Sequence, residues 1–168
     1  AFYAQIAAGA ILVVAIIDAM GVVDAEWADG LLRGLRALPD AMHAVVETHD
    51  AIAAVARRHV LPRRYWAIVG NGANAIAANE IRIKLSELCY KAIACDVTED
   101  KKHIDLSSEP LIVVCAAGLV GSNADDVGKE IAIYRAHRAA PIVIANDATR
   151  YPAALETITV PAVHPELD

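Results

Sequence analysis

The stretch YWAIVGNGANAIAANEIRIKLSELCY (residues 65–90) decides the fold, because a glycine turn joins a short apolar run to a longer helical one. The run 65–70 is rich in aromatic and aliphatic residues, as a buried strand is. From about residue 74 to residue 90, apolar residues recur at helical spacing. Gly70 and Gly72 lie between the two runs, where a tight strand-to-helix turn favours glycine. The stretch therefore predicts a β–α unit of an α/β fold.

The same alternation continues to the end of the chain. Strands are predicted at KAIACDV (91–97), PLIVVCAAG (110–118), PIVIAN (141–146) and TITVP (157–161), with a helix at about 123–138. Largely apolar runs separated by helices indicate a parallel sheet that helices cover on both faces. We predict an α/β fold: a three-layer α/β/α sandwich with a parallel, flavodoxin-like sheet preceded by N-terminal helices.

The first sixty residues are predicted to be helical, since small and aliphatic residues recur at helical spacing. Breaks are expected near residues 21–24, at 38–39 and near 48–50. Pro39 is expected in the first turn of a new helix, where its missing N–H costs little. We predict a helical segment over 1–60 that packs on an α/β lobe over 61–168, the two forming one compact domain.

The opening run AFYAQIAAGAILVVAIIDAMGVV (1–23) is apolar over nearly the length of a membrane span. Gln5 and Asp18 interrupt it, and no cationic flank marks it as a signal peptide. We therefore expect a buried helix and no membrane association. The chain starts inside this apolar pattern without an initiator Met, which indicates a fragment of a longer protein.

Composition narrows the function classes. A chain of 168 residues, 57% of them hydrophobic, is sufficient for one well-buried core. Its net charge of -6 argues against a nucleic acid partner. The three cysteines lack CxxC spacing and lie in apolar surroundings, as buried thiols of a cytoplasmic protein do. The six histidines show no metal-ligand spacing, and we predict no metal site.

The glycine turn has two interpretations. GNGANA (70–75) satisfies the loose GxGxxA form of the dinucleotide fingerprint, and Asp96 ends the next strand, about where a ribose-binding acid would fall. Alternatively, Gly70 and Gly72 serve the turn alone, because glycine tolerates positive φ and close approach. Both interpretations remain open at this point.

The helix after the turn carries Glu80, Lys84 and Glu87 at i, i+4 and i+7, so the three side chains share one face. A solvated ladder of ion pairs gives the same spacing. The functional interpretation is that one carboxylate moves protons on a sugar while the lysine holds charge or substrate in place.

Ligands of parallel sheets bind outside the carboxyl ends of the strands, which directs attention to residues 70–74, 96–103, 118–123 and 146–150. The polar segment TEDKKHIDLSSEP (98–110) contains His103, whose imidazole is suited to proton transfer near neutral pH. In GLVGSN (118–123), we expect Ser122 or Asn123 to cap a helix. Asp125 and Asp126 follow at once and would repel a phosphate there.

Several of these segments, taken in order, resemble one family. They are Ala1-Phe2 with Gln5, GLRALPDAM (34–42), AIVGNGANAIAANEIRIKLSELCY (67–90) and the pair Lys102-His103. Together they resemble the isomerase part of glutamine:fructose-6-phosphate aminotransferases (glucosamine-6-phosphate synthases), which has two sugar isomerase (SIS) lobes. The chain is similar to the second lobe over nearly its whole length.

The resemblance implies a cytoplasmic, dimeric enzyme that makes glucosamine 6-phosphate from fructose 6-phosphate and glutamine and needs no cofactor. Glu87 matches the carboxylate that shuttles a proton between C1 and C2 of the open-chain sugar, and Lys84 matches a lysine near the reacting oxygens. His103 matches a histidine that opens the sugar ring in the site of the neighbouring subunit. Glu80 and Lys102 match supporting residues, while the dinucleotide interpretation gives way to a sugar phosphate, with Gly70 and Gly72 serving the turn.

The sequence also departs from the family. His103 is followed by Ile104-Asp105 where the family has Gly-Pro. The first SIS lobe with its phosphate-binding loop, the C-terminal lysine that forms a Schiff base, and the glutaminase domain are expected elsewhere in a longer protein. A second hypothesis is a non-catalytic SIS module that binds sugar phosphates as a sensor.

Overall fold

The computed structural model describes residues 2–22, 24–103 and 106–168. Helices alternate with short strands after residue 60, as the sequence predicts. The elements in chain order are α1 (Phe2–Ala19), α2 (Ala25–Glu47), α3 (His49–Val55), a π-helical turn (Ala56–Val60), β1 (Trp66–Gly70), α4 (Ala73–Cys89), β2 (Ala94–Asp96), α5 (Thr98–Lys101), a 3₁₀ turn (Leu106–Ser108), β3 (Leu111–Cys115), α6 (Gly121–Ala136), β4 (Ala140–Ala145) and β5 (Glu156–Thr159).

The five strands form one parallel sheet in the order β2-β1-β3-β4-β5. In the central register, Ile68 of β1 lies opposite Cys95 of β2 and Val113 of β3. This is the flavodoxin-like order, in which the strand order reverses between β1 and β3 and leaves a crevice at their carboxyl ends. The predicted fold class is confirmed.

Consecutive residues of β1 face opposite layers, because side chains alternate along a strand. Ile68 packs in a cluster with Ala78 of α4 and Cys115. Its neighbour Val69 packs with Ile131 and other residues of α6 on the other side. α4 therefore covers one face of the sheet and α6 the other. Each fully buried aliphatic side chain of these clusters contributes about 1.5–3 kcal/mol through removal of apolar surface from water.

The turn between β1 and α4 requires both of its glycines. A Cβ on Gly70 would lie 2.3 Å from the backbone oxygen of Asn74, so the first turn of α4 approaches the strand too closely for any side chain. Gly72 has φ +57, a conformation that L-residues rarely adopt. The helix therefore begins directly at the carboxyl end of its strand.

Two predicted helix ends are wrong. Pro39 lies inside α2, where a break was expected. A proline costs one helical hydrogen bond, but its neighbours Leu38 and Met42 are good helix formers, and the helix continues through it. Likewise, α6 begins at Gly121 with Val120 as its N-cap and no side-chain cap bond, so Ser122 and Asn123 lie within the first turn and do not cap it.

The chain divides into two compact units, residues 1–44 with 162–168, and residues 45–161. The second unit contains α3, the π-helical turn and the whole sheet. The domain boundary predicted at residue 60 stays a prediction beside this division.

In the first unit, the prediction that α1 is buried is wrong. None of its described residues is buried, and Leu12 is 60% exposed. Hydropathy indicates only that a helix is apolar, and burial requires other elements to cover it. Among the described residues, α1 is the helix long and apolar enough to cross a membrane, with a mean hydropathy of 2.0. α1 meets only the criteria of length and composition for a membrane span, and a core helix or a signal sequence meets the same criteria.

The tail 162–168 lies against Gly30 and Gly34 of α2. A Cβ on Gly34 would lie 2.8 Å from Cβ of His164 and 3.0 Å from Cδ1 of Leu167. Asp168 folds the tail on itself, because its Oδ1 accepts hydrogen bonds from the backbone N–H groups of Val163 (2.6 Å) and His164 (3.2 Å). The absence of a side chain at residue 34 therefore allows this contact.

Candidate functional site

Asparagine side chains connect the loops at the carboxyl edge of the sheet. Asn71, in the glycine turn, donates a hydrogen bond from Nδ2 to Oγ1 of Thr98 (2.6 Å) and accepts one at Oδ1 from the backbone N–H of Thr98 (3.1 Å). Thr98 is buried and starts α5. The turn after β1 and the segment after β2 are thus joined through both polar groups of one amide.

The crevice between β1 and β3 is bridged as well. Asn74, which is 6% exposed, donates from Nδ2 to the backbone oxygen of Ala117 (2.8 Å). Asn146, at the end of β4, accepts from the backbone N–H of Gly118 and donates to the backbone oxygen of Val160 (3.2 Å). The sequence placed these asparagines in candidate ligand loops. The structure uses them to connect the loops.

The predicted Glu80, Lys84 and Glu87 cluster forms on α4. The Lys84 Nζ lies 3.1 Å from Oε2 of Glu87 and 3.9 Å from Oε1 of Glu80. The hydrogen bond that Lys84 donates to Glu87, with the charges of both carboxylates, raises the pKa of Lys84. Glu87 and Lys84 are more than half exposed, whereas Glu80 is 23% exposed. The face therefore presents an ammonium between two carboxylates, open to a ligand from solvent.

This charged face lies away from the crevice. Glu87 comes 14 residues after Ala73, the first residue of α4, which corresponds to about 21 Å along a helix axis. The N-terminus of α4 is at the carboxyl edge of the sheet, so Glu87 lies toward the amino edge. The rule that ligands bind at the carboxyl edge of a parallel sheet therefore does not predict this face. The helical spacing of its charged residues predicted it instead.

His103 lies in an exposed turn after α5, and its backbone N–H donates to the backbone oxygen of Asp100 (3.0 Å). The preceding residue, Lys102, contacts Oε1 of Glu130 on α6 (2.8 Å) and Oε1 of Glu99 (3.4 Å). The hydrogen bond that Lys102 donates to Glu130 raises the pKa of Lys102. Lys102 thus anchors this turn to α6. Ile104 and Asp105, where the family has Gly-Pro, lie outside the described residues.

A buried tyrosine supports the same turn from below. Tyr134 of α6 donates its hydroxyl to the backbone oxygen of Thr98. Burial raises the pKa of Tyr134, and the nearby carboxylates of Glu130 and Asp96 raise it further. Sequence analysis missed both Glu130 and Tyr134, because their roles depend on contacts with residues about thirty positions away in the chain.

The structure does not bring His103 to the charged face of α4. Leu106, three residues after His103, packs with Ile131 and Tyr134 in the cluster on the α6 side of the sheet. Ala78 of α4 belongs to the cluster on the opposite side, with Leu85 packed against it. Within one chain, the sheet therefore separates His103 from Lys84 and Glu87.

Over residues 2–22, 24–103 and 106–168, no three His, Cys, Asp or Glu side chains are grouped as a metal ion would require. The three cysteines differ in solvent exposure: Cys89 is exposed, Cys95 is half-buried and Cys115 is buried. Burial raises the pKa of Cys115 to about 12, so this thiol is protonated and inert at neutral pH.

No protein-family model and no curated protein sequence matches the chain. Among solved structures, the C-terminal domain of glucosamine-fructose-6-phosphate aminotransferase from Francisella tularensis aligns over 93% of this chain with a TM-score of 0.80 and 15% identity. The chain has the fold of a sugar isomerase (SIS) lobe. The resemblance found in the sequence is thus confirmed for the fold. The chain spans 44% of that aminotransferase domain.

Two further solved structures have a similar fold. The RpiR transcription factor from Sphaerobacter thermophilus, in its sugar isomerase domain, aligns over 76% of this SIS chain and 74% of its own, with a TM-score of 0.59 and 11% identity. The Vibrio vulnificus NanR protein complexed with ManNAc-6P aligns over 79% of this chain and 52% of its own, with a TM-score of 0.58 and 13% identity.

Proposed function

We propose that this SIS lobe is the second lobe of a glucosamine-6-phosphate synthase or a close relative, and that the α4 face moves the proton in the sugar isomerisation. The observation that carries the proposal is the Lys84 ammonium 3.1 Å from Glu87 and 3.9 Å from Glu80, on an exposed helix face. The fold shared with the Francisella tularensis aminotransferase domain supports it.

In the proposed reaction, the open-chain fructose imine lies with C1 and C2 beside Glu87. The carboxylate removes a proton from one of these carbons and returns it to the other, which converts the ketose imine to the glucosamine form. A carboxylate suits this task because it cycles between acceptor and donor without leaving its position. Lys84 stabilises negative charge that develops on the sugar oxygens during the transfer.

The separation of His103 from the α4 face leads to the next part of the proposal. A histidine that opens the sugar ring must reach the same sugar, yet in one chain the sheet lies between them. We therefore propose a homodimer in which His103 of one copy serves the α4 face of the other. The first SIS lobe, which would bind the phosphate, and a glutaminase domain that supplies ammonia are proposed for the full-length parent protein, a cytoplasmic enzyme.

The test is Glu87→Gln in the full-length parent protein, which preserves shape and removes the carboxylate. We expect formation of glucosamine 6-phosphate from fructose 6-phosphate to fall by about 10²–10⁴-fold, while glutamine hydrolysis continues. The matched control is Asp126→Asn, because Asp126 forms a similar ion pair on α6, 2.8 Å from Lys129 at i,i+3. The control should leave both activities unchanged. Undiminished isomerisation in Glu87→Gln would refute the role of Glu87.

A second candidate function is a sugar-phosphate sensor, supported by the SIS folds of NanR and the RpiR transcription factor. In that case, the α4 face binds a sugar phosphate without converting it. One experiment on the full-length parent protein distinguishes the two candidate functions. A sensor binds fructose 6-phosphate with a measurable Kd but forms no glucosamine 6-phosphate in the presence of glutamine.

A further inference from the structure

α4 ends in a strained residue. Tyr90, its C-terminal cap, has φ 50 and ψ 44, the left-handed conformation that glycine or asparagine usually supplies at a helix end. Its side chain is 95% exposed, so the folded chain obtains almost no burial from the ring. A bulky residue thus occupies a position where glycine would cost less.

Among the residues that the structure describes, two other non-glycine residues have positive φ, and both are held by contacts of their own. Glu109 (φ 49) and Arg138 (φ 62) form an ion pair at 3.6 Å. Arg63 donates to the backbone oxygens of both, at 2.7 Å and 3.2 Å. These contacts account for Glu109 and Arg138, whereas solvent surrounds the ring of Tyr90. A strained backbone conformation that no contact of the side chain compensates is characteristic of functional positions.

Tyr90 also borders the charged face described above. It follows Glu87 by three residues, directly after the last residue of α4, while Ile76 precedes Glu80 by four residues on the same side of the helix. Ile76 is 62% exposed. The ammonium and carboxylates therefore lie between an exposed aliphatic side chain and an exposed aromatic one. Small-molecule sites have this composition, with apolar and aromatic walls around a few polar groups.

We propose that Tyr90 is a substrate-contacting residue that sets the ligand preference of this face. Its ring forms a wall against the C–H groups of the sugar chain, and Lys84 and Glu87 engage the oxygens and the reacting carbons. A tyrosine ring suits a sugar because it offers a rigid apolar surface with one polar tip. The ligand class is a phosphorylated polyol, and the inference rests on the proposed function.

The test is Tyr90→Gly, which relieves the strain and removes the ring together. In the 168-residue chain, we expect the Tm to rise by about 2–4 °C, because glycine adopts positive φ without steric cost. In the full-length parent protein, we expect the KM for fructose 6-phosphate, or its Kd where no product forms, to increase by about tenfold. A substitution that stabilises the fold and weakens the ligand separates a substrate contact from a structural role.

Two controls accompany it. Tyr90→Phe keeps the ring and the strain but removes the hydroxyl, so its Tm should stay close to that of the natural chain and its KM should rise less than that of Tyr90→Gly. Tyr65→Ala removes another exposed tyrosine, 51% exposed and outside α4, and should leave the KM unchanged. An unchanged KM and Kd in Tyr90→Gly would overturn the inference and leave the proposed function intact. A Tm that does not rise would overturn the argument from strain. A natural parent protein that neither binds nor converts fructose 6-phosphate would refute the proposed function and, with it, the role of Tyr90.

Discussion

Replacing Gly70 with alanine tests the most closely packed point of the fold. The added methyl group would lie 2.3 Å from the oxygen and 2.6 Å from the carbon of the Asn74 carbonyl group, roughly 1 Å inside ordinary contact distance. Both atoms belong to backbone, so no side chain can rotate away. The first turn of α4 must therefore move outward from β1.

The expected cost has two parts. Overpacking that forces such a backbone shift costs about 1–3 kcal/mol. A shift of roughly 1 Å would also break the 2.8 Å hydrogen bond from Asn74 to the oxygen of Ala117, for about another 1 kcal/mol. The sum, about 3 kcal/mol, corresponds to a Tm about 6–12 °C lower for a chain of this length.

The assay is urea and thermal unfolding followed by circular dichroism, with Gly128→Ala as the matched control. Gly128 lies inside α6, and the nearest atom to its added Cβ is a ring carbon of Tyr151 at 3.9 Å. Alanine should therefore raise stability there by up to about 1 kcal/mol through its helix propensity. The reasoning fails if Gly70→Ala unfolds at the same temperature as the natural chain, or if the two variants shift in the same direction.

Four further outcomes are expected. Because burial raises the pKa of Cys115 from 9.0 to about 12, the unfolded thiol ionises first, and the free energy of unfolding should fall as pH rises above about 9; Cys115→Ala should flatten that decline in urea titrations between pH 8 and 10.5. At pH 8, a thiol reagent should modify the exposed Cys89 in the folded chain and reach Cys115 only after unfolding, and equal rates would contradict the assigned burial. Tyr134→Phe should lower the free energy of unfolding by about 1 kcal/mol, because it removes a buried hydrogen bond to a backbone carbonyl. Gly34→Ala should displace the tail 162–168 from α2 and speed proteolysis of the tail, because the added Cβ would lie 2.8 Å from Cβ of His164.

The sheet was largely predictable from sequence. Runs such as YWAIVG and PIVIAN are apolar on both sides, which only a strand covered on both faces requires, and β1 and β4 lie within a residue of the predicted ranges. The glycine turn was predictable too, since Gly70 and Gly72 have local steric reasons that the residue type reveals. Pro39 and the start of α6 were not, because a local propensity of one to three kcal/mol is overridden when neighbouring residues favour helix.

The candidate site was predictable only in its local part. The Glu80, Lys84 and Glu87 grouping follows from helical periodicity, and the structure forms it. The anchoring of Lys102 by Glu130 joins residues 28 positions apart, and periodicity carries no information at that range. The run of apolar residues in β1 also does not reveal which face of the sheet α4 covers. The separation of His103 from α4 depends on the connections between the strands, which only the structure provides.

The amide of Asn71 has a consequence for the chemical lifetime of the protein. An asparagine followed by glycine deamidates readily, because the unhindered glycine nitrogen can attack the side-chain carbonyl carbon. Here both polar groups of that amide are hydrogen-bonded to Thr98, so the side chain must break these bonds before it can rotate to react. We expect deamidation at this pair to be slow in the folded chain and fast in urea, as mass spectrometry of aged samples would reveal. The lifetime of the turn in storage therefore depends on how often the loop after β2 opens.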